Sequence, residues 1–315
     1  MKFIYLDQFA TSNLFDSNED SIWQDIKYNL KKGFEKGKIA CPLSLEHLIE
    51  SSKKESIKAI SLHKEFLKLS QNLIFKPELF ITSQLLISLV RGNNVTRNTY
   101  LEKFNDNSFF TVEQDIKLLL NKNETFINII NESTELLNNI RNSCRSNNSK
   151  QETKNLLVKK LKELNAEKIC TRLYELIQNK KIFISSIKTK SGNIPSWIDL
   201  IIHQLLYSHR MNEKETKKLI IEINKNGFNN IPTLDIRFSL LAIICVFNKN
   251  ENSNDHIDIM RISTGLPISD IFLTDFQRKN ELEISGLAKK YNTKIFSGKK
   301  NDLVQLNDLL SRICE

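Results

Sequence analysis

The stretch Asn254–Lys279, NDHIDIMRISTGLPISDIFLTDFQRK, decides the fold. Its first part reads as a short helix, Asp255 to Ser263, that opens on two acidic residues, Asp255 and Asp258. Gly265 and Pro267 punctuate the chain, because neither suits a helix interior. Asp270 to Thr274 then reads as a strand, a short apolar run bounded by polar residues, and Asp275 terminates it. Downstream lie a helix, Asn280 to Tyr291, and a strand, Thr293 to Phe296. The other end of the chain has the same order. Lys2 to Asp7 reads as a strand, a helix follows through Trp23, Ile26 and Leu30, and a second strand runs from Lys38 to Leu43. A helix capped by Ser44 then extends to Ser70. Two strands at each end, each but the last followed by a helix, predict an α/β fold: a small parallel sheet wrapped by helices.

Between these ends the pattern is helical only, over Leu79–Val90, Val112–Ile140, Glu152–Gln178, Ile194–Ser208, Glu213–Ile223 and Leu234–Phe247. Residues 1–76 and 251–315 are therefore expected to form one discontinuous domain. Residues 77–250 form a large all-helical insertion between its second and third strands. With eight Gly and five Pro in 315 residues, long helices outweigh turns, and an all-β fold is excluded. The five cysteines are scattered without a CxxC or a Cys/His pair at zinc spacing, which fits a reducing, cytoplasmic setting. MKFIYLDQ has too short an apolar run for a signal peptide, and Leu240 to Phe247 is too short to span a bilayer, so no membrane association is expected.

The net charge of +9 points to a polyanionic partner. Arg141 to Lys190 holds thirteen Lys or Arg against four Glu and no Asp, a surplus equal to that of the whole chain. Lys159, Lys160, Lys162 and Arg172 are its candidate nucleic-acid contacts; the plainer reading is a solvated helix face.

Ligands of parallel α/β sheets gather at the carboxyl ends of the strands, and the acids cluster there. Asp7 and Asp275 end strands, Asp255 and Asp258 open a helix, and Glu46 and Glu50, four apart on one helix face, follow the second strand. Carboxylates converging at about 4–5 Å repel by roughly 3–4 kcal/mol per pair at an effective dielectric near 20. Such a cluster calls for a divalent cation, and hard Mg²⁺ or Mn²⁺ suits oxygen ligands and phosphodiester chemistry. For any one of these acids the alternative is a helix cap or turn.

Three strings together resemble the motifs of PIN-domain nucleases: IYLDQFATSNLF from Ile4, PLSLEHLIES from Pro42, and the Asn254–Lys279 stretch. The resemblance covers about a third of the chain and leaves out its middle. It implies a metal-dependent endonuclease acting on RNA in preference to DNA, with Asp7, Glu50, Asp258 and Asp275 as catalytic and metal-binding acids. Asp255 and Asp270 are accessory acids on this reading, and Glu46 competes with Glu50 for the second position. Two other readings stay open: a catalytically silent scaffold that binds nucleic acid or a partner, and a toxin component whose basic block binds an acidic antitoxin. No Walker loop, GxGxxG, GxSxG or HExxH supports another enzyme class. His203 and His209 do not share a helix face and read as packing or surface residues. Trp23 and Trp197 read as core, although Trp197 could stack a base. His47 and His256 neighbour candidate acids without an assigned role.

Overall fold

The computed structural model describes residues 1–15, 20–44, 47, 64–103, 151–188, 190, 192–247, 250 and 252–315, with a few positions between 128 and 139. The chain divides into two compact units. One comprises Met1–Lys76, Tyr100–Asn123 and Gly265–Glu315, and the other Pro77–Thr99 and Glu124–Thr264.

The first unit is built on a parallel sheet of β1 (Lys2–Leu6), β2 (Ile39–Ala40), β3 (Ile271–Leu273) and β4 (Lys294–Phe296), in the order β2-β1-β3-β4. All three pairings are parallel; Tyr5 lies opposite Phe272, and Phe272 opposite Ile295. Every residue of β1 after Lys2 is buried, as expected for a strand covered on both faces. Alternation assigns the two faces. Ile4, Leu6, Ile271 and Leu273 join one core with Leu14 of α1 (Gln8–Phe15) and Trp23, Ile26 and Leu30 of α2 (Ser21–Glu35). Tyr5 and Phe272 point the other way and stack, with centroids 4.3 Å apart and planes 9° from parallel. Gly265 makes that stack fit, because a Cβ there would sit 2.9 Å from Tyr5 Cδ2 and 3.2 Å from Phe272 Cε2.

α2 forms where Asp20 caps it, accepting from the Ile22 amide at 3.2 Å, and its apolar residues recur at helical spacing. α3 (Phe276–Ile284) starts on Asp275, four residues before the expected start of that helix, and stops short of Gly286, whose φ of +71° favours glycine. The last strand is followed by a helix, contrary to expectation. This is α4 (Lys300–Cys314), whose Leu303, Leu306, Leu310 and Cys314 pack into the same core. A further pair, Leu73–Phe75 with Leu101–Lys103, is antiparallel, and Ile74 also bridges Leu43 in parallel.

The second unit is mainly helical: Glu78–Arg91, Gln151–Asn179, Trp197–Tyr207, Glu213–Asn226, Pro232–Val246 and the helix beginning at Ser253. A short hairpin, Ser186–Lys188 with Asn193–Pro195, stands where the sequence pattern predicted helix from Ile194. Its interior contains ion pairs as well as apolar side chains. The buried Glu78 carboxylate receives Arg237 and, at 2.6 Å, the Ser263 hydroxyl, while the Arg237 guanidinium lies 4.1 Å from the centre of the Trp197 ring. Trp197 thus stacks on a guanidinium of its own unit. Among the described residues, no helix is long and apolar enough to cross a membrane.

Candidate active site at the carboxyl edge of the sheet

The strand order has a functional consequence. The chain leaves β1 toward β2 on one side and leaves β3 toward β4 on the other, so the connections diverge above the carboxyl ends of β1 and β3. Such a switch point is where open α/β sheets form their ligand crevice. Asp7 and Asp275 are the residues at that point.

Asp7 follows β1 directly. Its amide continues the ladder to Leu273 O at 2.9 Å, and its carbonyl accepts from the Thr11 amide in the first turn of α1. One carboxylate oxygen accepts from the Gln8 amide at 2.7 Å and the other from the Thr274 hydroxyl at 3.0 Å. The group is only 8% exposed. Asp275 is held by a different device: it caps α3 and accepts from the Arg278 amide at 2.9 Å. Burial is the largest cause holding its carboxyl above the ordinary range, and the charges of Asp7 and Glu281 push the same way, against the Arg278 and Gln277 amides. The Asp275 carboxyl thus feels the charge of Asp7 on the adjacent strand.

The surrounding side chains are spent on holding this edge in place. Arg278, buried, donates to Glu281 at 2.5 Å. Lys279 donates to both oxygens of Asp302 at 2.8 Å, and Asp302 also accepts from the Ser297 amide at 2.8 Å and hydroxyl at 2.5 Å. This clamp ties the first turn of α3 to the loop after β4. Burial alone would raise the Asp302 carboxyl, but the hydrogen bonds from Lys279 and Ser297 outweigh it and hold it below the ordinary range.

His47 acquires a structural role. The Ser44 amide donates to Nδ1 at 3.0 Å, which makes Nδ1 the acceptor and leaves Nε2–H to donate to Leu6 O at 2.6 Å. The fully buried ring thus fixes the last residue of β1, one position before Asp7. Thr274, His47, Ser297, Lys279 and Asp302 were not singled out for this work by sequence. The Thr-Asp pair ending the third strand was the one available signal.

Glu46 and Glu50 lie outside the described residues. Asp255 and Asp258 belong to the second unit. Asp255 is buried in a reciprocal cap with Asn252, accepting from its amide at 2.7 Å and donating its own to Asn252 Oδ1 at 3.0 Å. Asp258 accepts from Arg261 at 2.9 Å. Asp270 is at the amino end of β3, roughly 16 Å along the strand from Asp275 at about 3.3 Å per residue. There it accepts from Lys2 Nζ at 2.7 Å and the Phe3 amide at 2.9 Å, so it pins the opposite edge. Among the described residues, no three His, Cys, Asp or Glu side chains come together as a metal-binding group.

The basic segment is also partly answered from within its own unit. Arg172 donates to Asp199 at 2.7 Å, to Glu175 and to Phe183 O, and Lys162 donates at 2.7 Å to Asp235, which is 1% exposed. Lys160 pairs with Glu163 at 3.3 Å on the surface, and Lys159 is exposed. Lys162→Glu should therefore cost about 2–4 kcal/mol of stability, since it sets a second acid against a buried carboxylate. Urea unfolding beside the exposed control Lys159→Glu checks this, the control changing by no more than about 0.5 kcal/mol.

No family model, curated protein or solved structure matches the chain. What can be said of this site follows from its residues.

Proposed function

We propose that the protein is a metal-dependent phosphodiesterase of the PIN-nuclease kind that cleaves RNA in preference to DNA. The observation that carries the reading is the Asp7–Asp275 pair: two acids at the switch point of a parallel sheet, one of them with its carboxyl raised by burial and by the other's charge. A divalent cation fits this donor set, because Mg²⁺ and Mn²⁺ bind through one or two carboxylates while keeping several waters. Asp7 and Asp275 would hold it, and it would supply charge neutralisation at the phosphate and a water of lowered pKa.

The chain's own contribution is orientation. The Thr274 hydroxyl fixes one Asp7 oxygen and the Gln8 amide the other, so the carboxylate cannot rotate away. Asp275 is set by the first turn of α3, and that turn by the Lys279–Asp302–Ser297 clamp. Preorganisation of this kind lets charged groups act without reorganising during the reaction. On the sequence resemblance, Glu46 or Glu50 would add a further acid to this pair. The test is incubation of the full chain with end-labelled single-stranded RNA and DNA in Mn²⁺, in Mg²⁺ and in EDTA. Metal-dependent cleavage, faster on RNA, is expected; intact oligonucleotides under all conditions would refute the reading.

A further inference from the structure

Next to the acid pair, on the same edge of the sheet, one aromatic side chain is partly open to solvent. Phe276, the residue after Asp275, is 44% exposed on the first turn of α3. Lys299 Nζ lies 3.1 Å from the centre of its ring. Lys299 comes from the loop after β4, and that loop is fixed on two sides. Ser297 is bound to Asp302, and Gly298 lies so close to Phe9 that a Cβ would come within 3.0 Å of its ring. The ring and the ammonium are therefore presented by rigid backbone, as a ready-made pair.

We propose that Phe276 and Lys299 form a subsite for single-stranded nucleic acid, in which the Lys299 ammonium leaves the ring face for a phosphate and the adjoining base takes its place on the ring. The inference rests on the nuclease reading for its substrate class and goes beyond it in assigning the residues that seat the strand. Three observations favour it. An aromatic face accepts any base, and a lysine above it matches the phosphate attached to that base. The neighbouring cations Arg278 and Lys279 are committed to Glu281 and Asp302, whereas Lys299 and Lys300 are exposed beside them. The pair also adjoins Asp275, which a strand must reach to be cleaved. The basic segment around Lys162 and Arg172, by contrast, has part of its charge answered by its own acids.

The experiment uses full-length protein carrying Asp7→Asn, so that bound strands stay intact, and fluorescein-labelled twelve-nucleotide probes read by anisotropy: single-stranded RNA, single-stranded DNA and duplex RNA. Adding Phe276→Ala or Phe276→Leu should weaken single-strand binding by about 5- to 100-fold, and Phe276→Tyr should restore it, since stacking needs a ring rather than apolar bulk. Duplex binding should change by less than about twofold, because paired bases offer no free face. Adding Lys299→Gln should flatten the slope of log affinity against log salt by about 0.7, one phosphate contact on a single strand. The inference is overturned if the Ala and Leu variants bind single strands as their parent does, if all probes weaken equally, or if the parent binds no single strand. Failure of the nuclease reading looks different: unsubstituted protein would cleave nothing in Mn²⁺ while Phe276-dependent binding persisted.

Discussion

Asp7→Asn is expected to lower the rate of RNA cleavage by roughly 10²- to 10³-fold or more while the protein stays folded. The side chain keeps its shape. The Asn amide oxygen can still accept from the Gln8 amide, and the Thr274 hydroxyl can rotate from donating to accepting, so the local hydrogen bonds survive with the charge removed. What is lost is a carboxylate oxygen for a hard cation. In metal-free buffer the variant should be as stable as the parent or slightly more so, because Asp275 no longer faces a second negative charge. Asp275→Asn should behave alike, since Asn caps a helix as well as Asp does. Single-turnover cleavage with thermal melts in EDTA reads both effects; a variant with parental activity removes that residue from the site.

A large effect on stability is also expected at Asp302. Replacing it with Ala should cost about 3 kcal/mol at pH 7, because a Lys279 ammonium and two Ser297 donors lose one charged acceptor. The cost should depend on pH. The folded-state carboxyl lies below its ordinary range, so the folded protein takes up this proton at lower pH than the unfolded chain does. The stabilisation is then complete above the ordinary carboxylate pKa of about 4 and is lost as pH falls through the folded value. Parent and Asp302→Ala should therefore differ most at neutral pH and converge toward pH 2–3, as measured by urea unfolding across a pH series. A difference that stays constant down to pH 2 would mean the clamp acts by packing alone. The clamp also orients Asp275, so cleavage should slow with little change in KM.

The sheet was legible in the sequence wherever both faces of a strand are buried, since IYL before Asp7 and IFL before Thr274 are short, uninterrupted apolar runs. The last helix was legible too, through Leu303, Leu306 and Leu310 at helical spacing, yet the expectation stopped at Phe296. The hairpin at Ser186–Pro195 was less visible, because a three-residue strand carries too few alternations to outweigh the helix after it. The start of α3 was hidden in FQRKN, which lacks apolar periodicity; its signal was Asp275, read first as a strand end with a helix cap or turn as the alternative.

For the site, position along the strand decided what could be read. An acid at a strand's carboxyl end is separable by sequence from one at its amino end, and Asp270 belongs with the latter, where Lys2 answers it. Ion pairing across the chain was not readable. Lys162 and Asp235 are 73 positions apart, and Arg172 and Asp199 are 27 apart, so counting charges along a segment overstated how many cations were free. His47 illustrates the same limit, because its bond to Leu6 spans 41 positions.

The central claim is that Asp7 and Asp275 together hold a divalent cation, and calorimetric titration of Mn²⁺ into metal-free protein tests it most directly. The account predicts saturable binding by the parent protein that weakens at least about 100-fold, or about 2.7 kcal/mol, in both Asp7→Asn and Asp275→Asn, but is unchanged in Asp270→Asn at the opposite edge. No binding by the parent, or equal binding by all four proteins, would contradict it.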